Sequence, residues 1–289
     1  MIIDLKEITS KKRQDYLNHA IAPRPIALVS TINGNGQPNL SPFSFFNLFS
    51  IDPPIVVFSP SRRLRDNTTK HTYENLFEVP EAVINIVDYE IVQQMSLASC
   101  EYPVDTNEFL KAGFTEEPAT IVRPPMVKES KVKLECRLKG IKPLGKSGGA
   151  GNLIIAEVLR IHIDDNILDD EGMIDQKRLQ HVARLGGDWY CKVDKSNLFK
   201  VPKPNRGLGI GMDSLPPHIR HSKILTGNDL ALLAGVEGMP ELNPFFFIEK
   251  PDHEKAKKMI AQGRIHEAWQ ILLHSKKQYD NRYCDKRIF

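Results

Sequence analysis

Cysteine is scarce in this chain: Cys100, Cys136, Cys191 and Cys284 stand far apart, with no C-x-x-C pair. That spacing suggests neither a zinc site nor a disulfide framework, and reduced, mostly buried thiols are the plain reading. Long hydrophobic runs are missing as well. The start, Met1-Ile-Ile-Asp-Leu-Lys6, carries charge from its fourth residue and has no apolar core of signal-peptide length, so a soluble, cytoplasmic protein is expected. Net charge is small: 39 basic residues against 36 acidic leave +3, and bulk charge implies no nucleic-acid or polyanion partner. There is no G-x-S-x-G elbow and no H-x-x-x-H pair among the nine histidines, and His218 and His221 sit beside Pro216-Pro217 in a loop. The acidic cluster Asp164, Asp165, Asp169, Asp170 and Glu171 lacks the alternating spacing of a calcium loop and reads as a solvated turn. Metal chemistry and triad hydrolysis thus have no sequence support.

What is present is a series of short β-type runs. Residues 26–32 are a β-branched run ending in Asn33-Gly34-Asn35-Gly36, a hairpin signal because Asn and Gly tolerate positive φ, and a partner strand follows through Asn39 and Leu40. Residues 55–58 and 82–87 read as buried strands, and residues 132–139 alternate apolar and polar as a half-buried strand does. A Gly-rich loop, residues 140–151, leads into a long strand at 153–163. Residues 1–20 read as an edge strand or a lead-in. Short helices are expected at 66–77, capped by Asp66 or Asn67, from Asp88 to about Ala98, and from Thr106 through Leu110. Many strands with few helices between them favour a closed antiparallel barrel over a doubly wound sheet.

The composition changes after Tyr190. Residues 201–211 are Pro/Gly-rich and read as an extended linker, so we place a barrel domain at 1–205 and a helical extension at 206–289. In the extension, Thr226 and Asp252 cap helices, and Ile265, Ala268, Trp269, Leu272 and Leu273 form a stripe at helical spacing that must be buried against the barrel or a second subunit.

Two motifs invite over-reading. Gly140-Ile-Lys-Pro-Leu-Gly145-Lys146-Ser147 fits G-x-x-x-x-G-K-[ST], but such a phosphate loop needs a helix directly afterwards, whereas Gly148, Gly149, Gly151 and a β-branched strand follow. A hairpin loop is the better reading. Asn67-Thr68-Thr69 fits a glycosylation sequon that a cytoplasmic chain would never present to the machinery.

The chemistry concentrates in residues 22–75. Arg62, Arg63, Arg65 and Lys70, with Ser59, Ser61, Thr68, Thr69 and Thr72, put cations and hydroxyls at a strand-to-helix junction. That is what a phosphate-bearing planar ligand needs: cations and N–H groups for the dianion, aromatic and small residues for the ring.

The order PRPIALVST, NLSPFSFFN, DPPIVVFS, Lys70-His71-Thr72-Tyr73-Glu74-Asn75, Asn107 to Phe114, Val132-Lys-Leu-Glu-Cys136 and Arg184-Leu-Gly-Gly-Asp-Trp-Tyr190 resembles the flavin reductase-like, FMN-binding split-barrel family over residues 15 to 200. The resemblance implies an all-β core with helical insertions, a six-stranded antiparallel Greek-key split barrel that forms a homodimer and holds FMN non-covalently near the interface. It implies Asn39, Ser41, Ser44 and Phe45 along the isoalloxazine edge, and Ser59, Arg62, Lys70 and Thr72 near the phosphate, with Arg65 in the same basic segment. Arg184 and Tyr190 fall near the open flavin face. The family often has K-D-T where this chain has Lys70-His71-Thr72, which leaves the cation and the hydroxyl but not the acid.

The implied function is an FMN-dependent oxidoreductase taking electrons from NAD(P)H or another reductant to a flavin, ferric or protein acceptor. A flavoredoxin-like electron carrier without a nicotinamide site is the alternative, and a relative that has lost its flavin is the third.

Overall fold

The computed structural model describes residues 1–201 and 207–284, in two compact units that divide between Leu198 and Phe199. The boundary expected at 205/206 and much of the expected linker lie outside the described residues. Among those described, no helix is long and apolar enough to cross a membrane.

The first unit runs α1 (Ser10–Ala20), β1 (Arg24–Pro25), β2 (Ala27–Ile32), β3 (Pro38–Phe43), β4 (Phe46–Ile51), β5 (Pro54–Phe58), α2 (His71–Glu78), β6 (Glu81–Ile86), α3 (Val92–Leu97) and α4 (Glu108–Ala112). It continues through β7 (Glu116–Glu117), β8 (Met126–Val127), β9 (Val132–Pro143), β10 (Asn152–Ile163), α5 (Gln176–Leu179), β11 (Val182–Arg184) and β12 (Tyr190–Lys192).

A seven-stranded sheet in the order β3-β2-β6-β9-β10-β5-β4 replaces the closed six-stranded barrel that the sequence suggested; every pairing in it is antiparallel. The extra strand is β4, whose aromatic run pairs with β5 and forms an edge. The sheet is nonetheless curled. Its two edge strands, β3 and β4, are joined by Ser44 and Phe45 alone, so Phe43 and Phe46 stand no more than about 11 Å apart, three Cα steps.

Alternation along β2 explains why all six of its residues are buried. Ala27 and Val29 pack with Val56, Phe58, Ile84, Ile154 and Leu76 of α2. Ile26 and Leu28 pack on the other face with Ile91 and Met95 near α3 and Phe109 of α4. A buried carboxylate supplies a polar anchor: Glu135 on β9 accepts from the amides of Thr120, Ile121 (2.7 Å) and Val122 (3.0 Å) and from the Thr120 hydroxyl, with His162 Nε2 at 2.6 Å.

Local chemistry corrects several expected boundaries. Residues 10–20 are helical, opened by Thr9, whose hydroxyl accepts from Lys12 N. Helix α2 starts at His71 rather than near residue 66. Asp66 instead closes a turn by accepting from the Thr68 amide and hydroxyl, and Asn67 takes φ 58°, which no helix continues. Asp88 likewise closes a turn onto Glu90 N, so α3 begins at Val92. Asn107, not Thr106, caps α4. The hairpin reading of the glycine-rich loop holds: β9 and β10 are twelve-residue strands joined by residues 144–151, with a strand where a phosphate loop would place a helix.

The second unit contains α6 (Pro217–Arg220), α7 (Gly227–Ala234), α8 (His253–Ala261) and α9 (Ile265–Cys284). The stripe of Ile265, Ala268, Trp269, Leu272 and Leu273 finds cover inside this unit, against Leu230 and Leu233 of α7 and Ile260 of α8. Trp269 Nε1 donates to Leu233 O at 3.1 Å, so the indole is satisfied as well as buried. Thr226 caps α7 in a reciprocal box with Asp229. Thr226→Ala takes the hydroxyl acceptor from the Asp229 amide while the residue 226 amide keeps the Asp229 carboxylate, and urea unfolding of the full chain should show the second unit destabilised by about 1 kcal/mol; an unchanged midpoint would mean that solvent satisfies the Asp229 amide equally well.

Candidate functional site

A cleft in the first unit has two contiguous lobes. One, about 360 Å³, is lined by Pro42, Phe43, Ser44 and Phe45, the strand-joining corner, with Ser59, Arg24, Arg184 and Tyr190. The other, about 660 Å³, is lined by Arg13 and Leu17 of α1, residues 62–65, Glu101 and the hairpin loop 145–150. Gln14, Asn18, Phe45, Ser61 and Lys70 belong to both lobes.

The walls are strongly cationic. Arg13, Arg24, Arg62, Arg63, Arg65, Lys70, Lys146 and Arg184 line the lobes, and Glu101 is the acid among the lining residues. Sequence order alone cannot produce this arrangement; close main-chain packing does. Arg62 N donates to Ala150 O at 2.8 Å and Gly149 N to Arg62 O at 2.9 Å, which straps the hairpin loop to the basic segment. A Cβ on Gly148 would stand 2.9 Å from Arg63 O, and one on Gly151 would stand 2.6 Å from Ser59 Oγ. Glycine at these two positions is what lets the strands' ends approach.

The predicted residues divide into three groups. Ser44, Phe45, Ser59, Arg62, Arg65, Lys70, Arg184 and Tyr190 line the cleft. Asn39 and Thr72 do not line it: both are buried, and Asn39 Nδ2 donates to Thr72 Oγ1 at 2.9 Å, so this pair ties β3 to the first turn of α2 next to Lys70. Ser41 is a half-buried β3 residue paired with Val29 and is likewise outside the lining.

The cations differ in how far they are already engaged. Arg62 is committed to the Asn67 turn, through Nε to Oδ1 at 2.7 Å and Nη2 to the carbonyl. Arg63 grips Thr68 Oγ1 and the Thr69 carbonyl and meets Glu101. Lys70 is less engaged, its Nζ 3.9 Å from Glu101. Burial, and then the nearby Arg63, lower its pKa from the usual lysine value. His71 is also lowered, mainly by burial, so it is neutral at neutral pH and adds no charge beside Lys70. Arg184 donates to the Tyr190 hydroxyl and to Gly187 O, and its guanidinium carbon lies 4.5 Å from the Tyr190 ring centroid.

Several cleft residues were not picked out from the sequence. Arg24 is 8 % exposed; it donates to Asn18 O and Ile21 O at the end of α1 and to Leu185 O in the turn between β11 and β12, while its buried Nε has no acceptor among the described residues. It lies within the quoted PRPIALVST segment, so its position was visible but not its role. Arg13, Gln14 and Asn18 were hidden because α1 buries none of its residues and therefore has no apolar periodicity. Glu101 carries no local signal at all.

Residues 19–183 match the flavin reductase like domain family. A protein of Aquifex aeolicus is 39 % identical over 181 residues, spanning 63 % of this chain and 90 % of that one. Nitrilotriacetate monooxygenase component B from Bacillus cereus is 29 % identical with a TM-score of 0.64 over 70 % of this chain and 98 % of its own. A Shewanella frigidimarina protein with a split barrel domain is 27 % identical with a TM-score of 0.60 over 70 % and 99 %. The curled antiparallel sheet with its helices is a split-barrel fold of the flavin reductase-like type, and the chain belongs to the flavin reductase-like family.

Proposed function

We propose that the first unit holds FMN in this cleft and works as an oxidoreductase, taking electrons from NAD(P)H or another reductant to a flavin, ferric or protein acceptor. The observation that carries the reading is the continuity of the two lobes across Phe45, Ser61 and Lys70: an aromatic- and hydroxyl-lined slot opens directly into a cation-lined one. Bound FMN would supply the hydride and electron chemistry, which is why the chain needs no acid, base or nucleophile of its own. Lys70, with Ser59 and Ser61, would take the phosphate, and Arg63 and Arg65 would add charge. Phe45 and Tyr190 would flank the ring, with Arg184 held against Tyr190. Asn39 and Thr72 act one step back, fixing the start of α2 so that Lys70 is held in place.

A homodimer belongs to the same proposal. Edge strand β4 exposes Leu48, Phe49 and Ile51, an apolar rim unusual for a free edge, and Phe45, at the cleft, directly precedes it. Sedimentation of the full chain should give twice the monomer mass.

The deciding measurement uses the purified full chain. We expect saturable quenching of FMN fluorescence and anaerobic bleaching of the bound flavin by NADH or NADPH. Bleaching by dithionite with neither nicotinamide active would identify a flavoredoxin-like carrier instead, and a chain that quenches no FMN would remove the cofactor altogether.

A further inference from the structure

The acid in the cleft has a position that its exposure alone does not explain. Glu101 Oε1 lies 3.1 Å from Arg63 Nε and 3.9 Å from Lys70 Nζ, and Oε2 lies 3.0 Å from Arg65 Nη2. Three cations from the basic segment thus converge on one carboxylate, as they would on a phosphate. Glu101 follows α3 on a stretch, residues 98–107, that has no regular structure. The main-chain hydrogen bonds of residues 99–106 close short turns within the stretch or return to the end of α3. The carboxylate is therefore a principal tie between this segment and the cleft wall.

From this convergence we propose that Glu101 is a built-in counter-anion, occupying the phosphate seat of the cleft until the phosphate of FMN displaces it and frees residues 99–106. The inference rests on the cofactor reading above. A carboxylate brings one negative charge to the seat and a phosphate dianion nearly two, so the ligand wins the exchange by Coulomb attraction. The gain is reduced by whatever Glu101 had contributed, so the affinity for FMN is held below what the bare cations would give. Riboflavin has no phosphate and leaves Glu101 where it is. Desolvation is the largest single influence on the Glu101 pKa and acts upward, but Arg65, Lys70 and Arg63 outweigh it, so the group stays below its usual range and is ionised at neutral pH. Such a device suits a chain that must release flavin as well as hold it, because the departing phosphate has a replacement already tethered.

The test compares wild type, Glu101→Gln and Glu101→Asp by fluorescence titration with FMN and with riboflavin, and by hydrogen exchange. Glu101→Gln keeps the size and loses the charge, so FMN should bind about three- to tenfold more tightly while riboflavin affinity stays put. Glu101→Asp should fall between wild type and Glu101→Gln. In wild type, FMN should raise exchange in residues 99–106, and in Glu101→Gln that exchange should already be high without FMN. Equal or weaker FMN binding by Glu101→Gln, or protection of residues 99–106 on FMN addition, overturns the proposal while the cofactor reading stands. A wild type that takes up no FMN overturns both.

Discussion

Glu135→Ala is expected to be the most damaging single substitution in the first unit, costing about 3–5 kcal/mol and lowering the midpoint of thermal unfolding by roughly 10 °C. The side chain is fully buried and accepts from three consecutive amides, a threonine hydroxyl and a histidine ring. Removing it leaves the buried Val122 amide and the part-buried donors around it without their acceptor. Glu135→Gln should cost somewhat less, because one oxygen survives while the new NH₂ faces donors. Desolvation pushes the Glu135 pKa upward, but the hydrogen bonds from Thr120, His162 and Ile121 win and hold it at about 2 against an ordinary 4.5. The sign follows directly. A depressed carboxylate stabilises the fold fully above pH 4.5, and that contribution is lost as pH falls from 4.5 toward 2. The gap between wild type and Glu135→Gln should therefore narrow on acidification, and urea melts at neutral pH and at about pH 3 check it. A gap independent of pH would mean that packing, not charge, is what the residue supplies.

Lys70→Ala is the substitution expected to affect ligand binding most. Its ammonium is partly desolvated at the junction of the two lobes, and burial lowers its pKa, so the folded chain bears a cost for keeping it charged. A phosphate dianion offsets that cost, and losing the pair should weaken FMN binding by about 1–3 kcal/mol, roughly five- to 150-fold, with riboflavin almost unaffected. Arg62→Ala makes the informative comparison. Its guanidinium already holds the Asn67 turn, so any loss there should come with a loosened basic segment, visible as faster hydrogen exchange in residues 63–69. Equal FMN affinity in wild type and Lys70→Ala would take the phosphate away from this end of the cleft.

Strand existence was readable from the sequence wherever one face packs on the interior: the β2 run, its Asn-Gly turn and the long β9–β10 hairpin follow from periodicity and turn chemistry. Helix starts differ from expectation where Asp66 and Asp88 close turns, since the same side-chain oxygen serves a turn or a cap, and at α4, where Asn107 is the cap in place of Thr106. The α1 helix escaped because it buries nothing. At the site, the basic segment was legible as composition, and the division of labour within it was not. Whether an arginine faces a ligand or a turn depends on the positive φ of Asn67, 58°, and on a carboxylate arriving from residue 101, which is not encoded nearby. The glycine-rich loop shows the converse: a strand follows it where a phosphate loop needs a helix, yet the loop still borders the cationic lobe through hairpin packing.

The Ser44–Phe45 corner has a kinetic consequence. It joins neighbours in sequence that are the two farthest members of the sheet order, so the chain holds β3 and β4 close from the start, and the long-range pairings β6–β9 and β5–β10 must complete the sheet between them. Loop-closure entropy therefore falls on those distant pairings rather than on the corner. The corner is cheap to form, whereas the slot beside Phe45 is complete only when Arg184 and Tyr190 arrive from far along the chain.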